Sequence, residues 1–190
     1  MKNNLLYSPI KFRNLELKNR WVMSPMCMYS AENGVPNDFH FVHYGSRAQG
    51  GVGLIVIEAS GVVPEGRITN LCTGIWNDEQ AQFFRKINDF VHQNSDSKIG
   101  IQLGHAGRKA STWQGKQLTL ENGGWETVSA SNIPYEEGER LPHELSIPEI
   151  KNLLQDFQTA AKRSLDCGFD LIEIHAAHGY LIHQFLSPLS

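Results

Sequence analysis

A chain of 190 residues is long enough for one ordinary domain with its own core. An apolar content of 41% excludes a disordered chain, and 17 basic against 20 acidic residues, with no Lys/Arg run, give no basis for nucleic-acid binding. Apolar runs such as Gly53 to Ile57 are too short to cross a bilayer, so no membrane partner is expected, and Met1-Lys2-Asn3-Asn4-Leu5 lacks the apolar core of a secretory leader.

Asn14 to Asn19 lies between two short apolar stretches and fits an N-terminal hairpin. Trp21-Val22-Met23 reads as a short buried strand, ended by Ser24-Pro25. Asp38 to Gln49 has helical spacing, with Phe39, Val42, His43 and Arg47 around it, and Gly50-Gly51 stops it. Leu54 to Glu58 is the clearest strand, a continuous apolar run of the kind buried on both faces. Asn77 is an N-cap for a helix to Val91, with Phe83, Phe84, Ile87, Phe90 and Val91 as its apolar stripe. Lys98 to Leu103 is a third strand. Gly104 to Leu145 shows no clear periodicity, and a loop of that length predicts a functional excursion above a site. Ser146-x-x-Glu149 is a capping box opening a helix to about Cys167, with Gly168 as its stop. Phe169 to His175 is the fourth strand. The three cysteines, Cys27, Cys72 and Cys167, are widely spaced and form no Cys-x-x-Cys pair, which predicts free thiols in a reducing cytoplasm.

Strands alternating with helices imply parallel βαβ units. A doubly wound sheet and a (β/α)8 barrel both fit, although no Gly-x-Gly-x-x-Gly supports a dinucleotide site. Polar or reactive residues stand at the C-terminal end of every strand. These are Ser24 to Tyr29, then Glu58-Ala59-Ser60, then Gln102 and His105, then His175 to Tyr180. In a barrel those ends meet on one face, where active sites lie.

His175-x-x-His178 with Tyr180 is the sharpest cluster. Two imidazoles at this spacing suit an oxyanion hole, with Tyr180 as general acid. Zinc binding is a rival reading, but no third ligand stands at a recognisable spacing, so no metal is expected. A bland structural role for the two histidines is the other rival. Cys27, between Met26 and Met28, reads alone as a buried structural thiol. Gln102 is a polar residue in an apolar strand and needs a partner, either a heterocycle edge or a loop backbone. Tyr29 carries the same ambiguity. Glu173 alternates with Ile172 and Ile174 and is expected to face a polar interior. His40, His92, His143 and His183 receive no role.

Three motifs carry a resemblance. They are Ser24-Pro25-Met26-Cys27-Met28-Tyr29-Ser30, Gly100 to Lys109 and His175 to Pro188. Together they resemble the old yellow enzyme family of flavoproteins, the NADH:flavin oxidoreductases and NADPH dehydrogenases. Cys27 and His178 are similar to the thermophilic-like bacterial subgroup. The likeness runs from about Leu6 to Ser190. It implies an FMN-bound (β/α)8 TIM barrel that uses NADPH or NADH to reduce the C=C bond of an activated alkene. It further implies that Ser24, Pro25, Met26, Cys27, Ala59 and Gln102 lie along the flavin. Tyr29 would bind substrate, His175 and His178 would hold its carbonyl oxygen, and Tyr180 would donate the proton.

Barrels of this type need about 250 residues and commonly build their phosphate site after strands seven and eight. Residues 1–190 are therefore expected to be the N-terminal half of one FMN-binding barrel domain, about four β/α units. A half-barrel leaves two strand edges and an apolar face open. The expected partners are a complementing C-terminal half or a second copy. A catalytically incompetent remnant, acting as an assembly piece, is the alternative reading.

Overall fold

The computed structural model describes residues 4–190; Met1 to Asn3, on which part of the leader reading rests, lie outside the described residues. The predicted hairpin is β1 (Ile10–Phe12) against β2 (Leu15–Leu17), antiparallel, with Arg13 in the left-handed region at φ 52°. β3 (Val22–Met23) follows and pairs in parallel with the next strand. It was expected to be buried, yet Trp21 and Val22 are 47% and 48% exposed. β3 forms an edge of the sheet, so one side of it has no neighbour among the described residues.

Helix α1 (Asp38–Gln49) opens on a capping box in which Asn37 accepts from the Phe39 N–H and donates its own N–H to His40 Nδ1 at 3.1 Å. His40, Tyr44, Gly45 and Ala48 make its buried stripe, whereas Phe39 and Val42 face outward. β4 (Leu54–Gly61) runs in parallel beside β3 and carries an irregularity between Ile57 and Ser60. In α2 (Asp78–Asn94) the predicted cap Asn77 is completed by Gln80, which accepts the Asn77 N–H at 3.1 Å. β5 (Lys98–Gly104) adds to the other side of β4.

The excursion without clear periodicity is built of short pieces. β6 (Thr112–Trp113) and β7 (Lys116–Gln117) form a hairpin, and β8 (Val128–Ser129) pairs in parallel with β9 (His143–Glu144). Strands of two residues are too short for a period to show in sequence. α3 (Ile147–Asp166) starts at the predicted box, where Glu149 accepts the Ser146 N–H at 2.7 Å, and ends where Gly168 takes φ 98°. β10 (Leu171–Ile174) pairs with β5, and α4 (Leu181–Leu186), which the sequence reading did not anticipate, closes the described chain.

The order β3-β4-β5-β10 is entirely parallel and follows the chain without reversal. A doubly wound sheet reverses at a switch point and carries helices on both faces. Here Ile55, Ile57, Ile99, Ile101 and Leu103 pack against Tyr44, Phe84, Ile87, Val91 and Ala160 from the three helices. Leu54 and Val56 pack instead on Leu17 and its hairpin neighbours Ile10 and Leu15. Helices lie outside, and the hairpin plugs the inside. That is an arc of a (β/α) barrel, with β3 and β10 as its two edges among the described residues. Among the described residues no helix is long and apolar enough to cross a membrane.

Candidate active site

Parallel strands place all four C-terminal ends on one side of this arc. The Ser24–Ser30 segment leaves β3 across the top. Ser24 and Met26 are exposed, Pro25 and Cys27 are half-buried, and Met26 is 54% exposed. The segment is anchored at Met28, whose N–H donates to Glu58 Oε2 at 2.9 Å. Tyr29 then turns back with φ 50° and meets Trp113 of the β6–β7 hairpin edge-on, ring centroids 6.3 Å apart.

His175, His178 and Tyr180 converge just past β10. The His175 ring centroid is 5.0 Å from that of His178 and 4.8 Å from that of Tyr180, both edge-on. His175 Nδ1 accepts the Ala177 N–H at 3.3 Å, so its proton resides on Nε2, which stands 3.3 Å from His178 Nδ1. Burial, and after it His178, lowers the His175 pKa, so the ring is neutral at neutral pH. Burial holds the Tyr180 hydroxyl well above its ordinary value, with Cys27 and Tyr29 adding to the effect. His178 takes φ 56°, and its carbonyl accepts from Lys109 Nζ at 2.8 Å. The Lys109 ammonium lies between the faces of Tyr135 and Tyr180, 4.5 and 5.2 Å from their centroids.

Ala59, His105, His175 and Tyr180 line one narrow cleft between β4, β5 and β10. His105, at the end of β5, is a staple: burial drops its pKa to about 4, and Nδ1 accepts the Gly107 N–H at 3.0 Å. Gln102 finds a protein partner that is not a loop backbone. Its Nε2 donates to Glu173 Oε1 at 2.5 Å, because Gln102 and Glu173 are opposite each other in the β5–β10 register. Glu173 thus faces Gln102 on the inner side of the arc. The two histidines have no metal-ligating company, for no group of three His, Cys, Asp or Glu that could hold an ion occurs among the described residues.

Three participants escaped the sequence reading. In the sequence Glu58 is legible only as a strand end, and Lys109 only as part of a motif. Gln184 of α4, buried among polar atoms, donates to the Gly179 carbonyl at 2.7 Å and accepts from Ser129 at 3.0 Å. It ties the loop that carries His178 to the long excursion.

A half-barrel with a paired-histidine and tyrosine cluster beyond its fourth strand defines the old yellow enzyme type of TIM barrel. Residues 5–190 match the NADH:flavin oxidoreductase / NADH oxidase family, and the chain belongs to that family. An NADPH dehydrogenase of Listeria innocua is 51% identical over 187 residues, covering 97% of this chain and 52% of the relative. One from Listeria monocytogenes serotype 4a is 50% identical over the same coverage. Morphinone reductase superposes with a TM-score of 0.83 at 28% identity, over 96% of this chain and 50% of that one. Old Yellow Enzyme from a Pichia species gives 0.87 at 28%, over 98% and 49%. The chain spans about half the length of the relatives it matches.

Proposed function

We propose that residues 1–190 form the N-terminal half of a single FMN-binding barrel domain. Their site serves a cytoplasmic, NAD(P)H-driven reduction of α,β-unsaturated carbonyl compounds. The carrying observation is the His175–His178–Tyr180 cluster on the same rim as Cys27 and Tyr29. The rim also fits the edge of a flavin. Ser24 and Met26 leave an open surface on it, and Gln102 Oε1 takes no hydrogen bond among the described residues. Ser24, Pro25, Met26, Cys27 and Ala59 would flank the ring, and Gln102 would accept from a ring N–H. Bound FMN, reduced by NADPH or NADH, supplies the hydride.

The protein's own contribution is electrostatic. A substrate carbonyl oxygen replaces His178 Nδ1 as acceptor for the His175 Nε2–H. His178 becomes the second donor on taking its Nδ1–H tautomer. Negative charge gathers on that oxygen as hydride arrives at the β-carbon, and each fixed donor is worth about 3–4 kcal/mol by analogy with oxyanion holes. Tyr180, protonated throughout the neutral range, delivers the proton to the α-carbon. Tyr29 orients the substrate.

The open flank supports the expected partners. Leu153, Leu154, Phe157, Ile174, Ile182 and Phe185 border an apolar groove of about 290 Å³ beside edge strand β10. A complementing barrel half, or a second copy, is the occupant this reading requires. Titration with FMN tests it, followed by anaerobic NADPH and a cyclic enone. The chain mixed with the C-terminal half of the Listeria innocua relative should bind FMN stoichiometrically and reduce the enone. The chain alone should bind FMN at least tenfold more weakly. A complemented, FMN-loaded barrel that leaves the enone untouched would sink the proposed chemistry.

A further inference from the structure

We propose that Glu58 is a positioning residue of the Ser24–Ser30 segment: its carboxylate clamps the backbone at Met28 and sets the charge beside the Cys27 thiol. The catalytic meaning of this rests on the flavin reading above, whereas the clamp itself does not.

Glu58 sits in the irregularity of β4 and is fully buried. Both carboxylate oxygens are engaged. Oε2 accepts the Met28 N–H at 2.9 Å and Oε1 accepts the Tyr44 O–H at 3.0 Å. His40 Nε2 stands 3.5 Å from Oε1. Among the described residues no Lys or Arg pairs with Glu58, so the acid is held by hydrogen bonds alone. An uncompensated buried carboxylate is expensive, and a neutral side chain of the same shape would fill the space more cheaply. The acid therefore has a use that filling space does not explain. Met28 separates Cys27 from Tyr29, and Tyr29 is in the left-handed region. A residue held there needs its neighbours to over-determine it. The Glu58 clamp does so from below, out of reach of substrate.

Charge provides the second link. The titratable groups facing Glu58 are Tyr44 and His40 from α1, with His43 alongside, and Cys27, Tyr29 and Cys72 from the loops after β3 and β4. Burial pushes the Glu58 carboxyl up to about 7. Once ionised, it opposes thiolate formation at Cys27, whose thiol is already held far above the ordinary range by donating its hydrogen bond to Cys72 and by burial.

The test uses the full chain without FMN, so a failed FMN titration would strike the flavin reading and leave this one standing. With Cys72→Ser and Cys167→Ser, Cys27 is the single thiol. Its iodoacetamide alkylation rate is followed from about pH 5.5 to 9, and Met28 amide exchange by mass spectrometry. The log rate should rise with pH and break near pH 7, where Glu58 ionises. Glu58→Gln should remove the break, speed alkylation roughly tenfold above it, and keep Met28 protected, because the amide oxygen still accepts. Glu58→Met should lose both the break and the protection, with Met28 exchanging at least roughly tenfold faster. A break that survives in Glu58→Gln, or wild-type protection of Met28 in Glu58→Met, overturns the proposal. Should Glu58→Met fail to fold by circular dichroism, the Gln variant and the wild-type profile decide alone.

Discussion

His178 offers a direct trial of the idea that the site stores backbone strain. Its φ of 56° lies in the left-handed region, and its side chain is exposed. A non-glycine residue there costs roughly 1–2 kcal/mol against the right-handed conformers, whereas glycine adopts the region freely. The side chain makes only weak contact, the 3.3 Å approach to His175 and an edge-on approach to the Tyr180 ring at 6.2 Å between centroids, together worth about 0.5–1 kcal/mol. The Lys109 bond goes to the His178 carbonyl and survives any substitution. His178→Ala therefore loses the contact and keeps the strain, a net destabilisation of about 0.5–1 kcal/mol. His178→Gly loses the contact and the strain together, so it should be more stable than His178→Ala by about 1 kcal/mol. In a mid-helix position the order would be reversed, since glycine is the weaker residue there by a similar amount. Urea unfolding followed by tryptophan fluorescence measures both midpoints. If His178→Ala equals or exceeds His178→Gly, the strain argument is wrong.

Other consequences follow from the same geometry. In the complemented barrel, His175→Ala should lower enone reduction by roughly 10²-fold or more, as loss of an oxyanion donor does, with FMN affinity unchanged. Tyr180→Phe should leave flavin reduction by NADPH intact and slow only the enone-dependent half-reaction, which stopped-flow absorbance separates. Gly74→Ala should destabilise by about 1–3 kcal/mol, because the added methyl would lie 1.9 Å from the Trp76 ring; a shift in thermal midpoint too small to measure would refute it. Stability should also rise with pH from about 4.5 to 6.5. Burial drops His40 and His105 from 6.5 to about 4, so in that window the unfolded chain binds their protons and the native state does not. Their stabilisation is complete above 6.5 and is lost as pH falls toward 4. Glu58, raised from 4.5 to about 7, pulls the other way over the same window, but two histidines outweigh one carboxyl. Urea midpoints that fall across this range would contradict the assignment.

The long elements could be read from sequence for a physical reason. α1, α2 and α3 each run three turns or more, so their periods repeat, and their caps sit within three residues of the helices they start. Continuous apolar runs marked β4 and β5. Local signals could not show partners that meet through the fold. Gln102 finds Glu173 across 71 positions, Met28 finds Glu58 across 30, and Lys109 finds His178 across 69. The sequence placed Gln102 in need of a partner without naming it. The positions of the site residues were legible because a parallel barrel converts strand order into spatial neighbourhood. Which side chains hold those residues in place was not, since that depends on register and on bulges such as the one at Glu58.

The protonation states on the rim say what kind of oxygen it can hold. Burial favours the neutral form of His175 and keeps Tyr180 and Tyr29 protonated, and the hydrogen bond to Cys72, with burial after it, does the same for Cys27. On the proposed reading these groups meet the ligand as neutral donors. A permanently anionic oxygen, such as a carboxylate or phosphate, is recognised best by charge-assisted and bidentate donors, above all arginine. Among the described residues Lys109 is the cation set against the cluster, and its ammonium is committed to the His178 carbonyl and two ring faces. On that reading the rim suits an oxygen that arrives neutral and becomes negative during reaction, as a conjugated carbonyl does. Donors that strengthen as charge develops favour the transition state over the bound ground state, which is the condition for raising kcat rather than only tightening binding. Lys109 fits the later step too. On the proposed reading, a positive charge over the Tyr180 ring is most stabilising once that phenol has released its proton, so proton delivery leaves the tyrosinate beside the Lys109 ammonium.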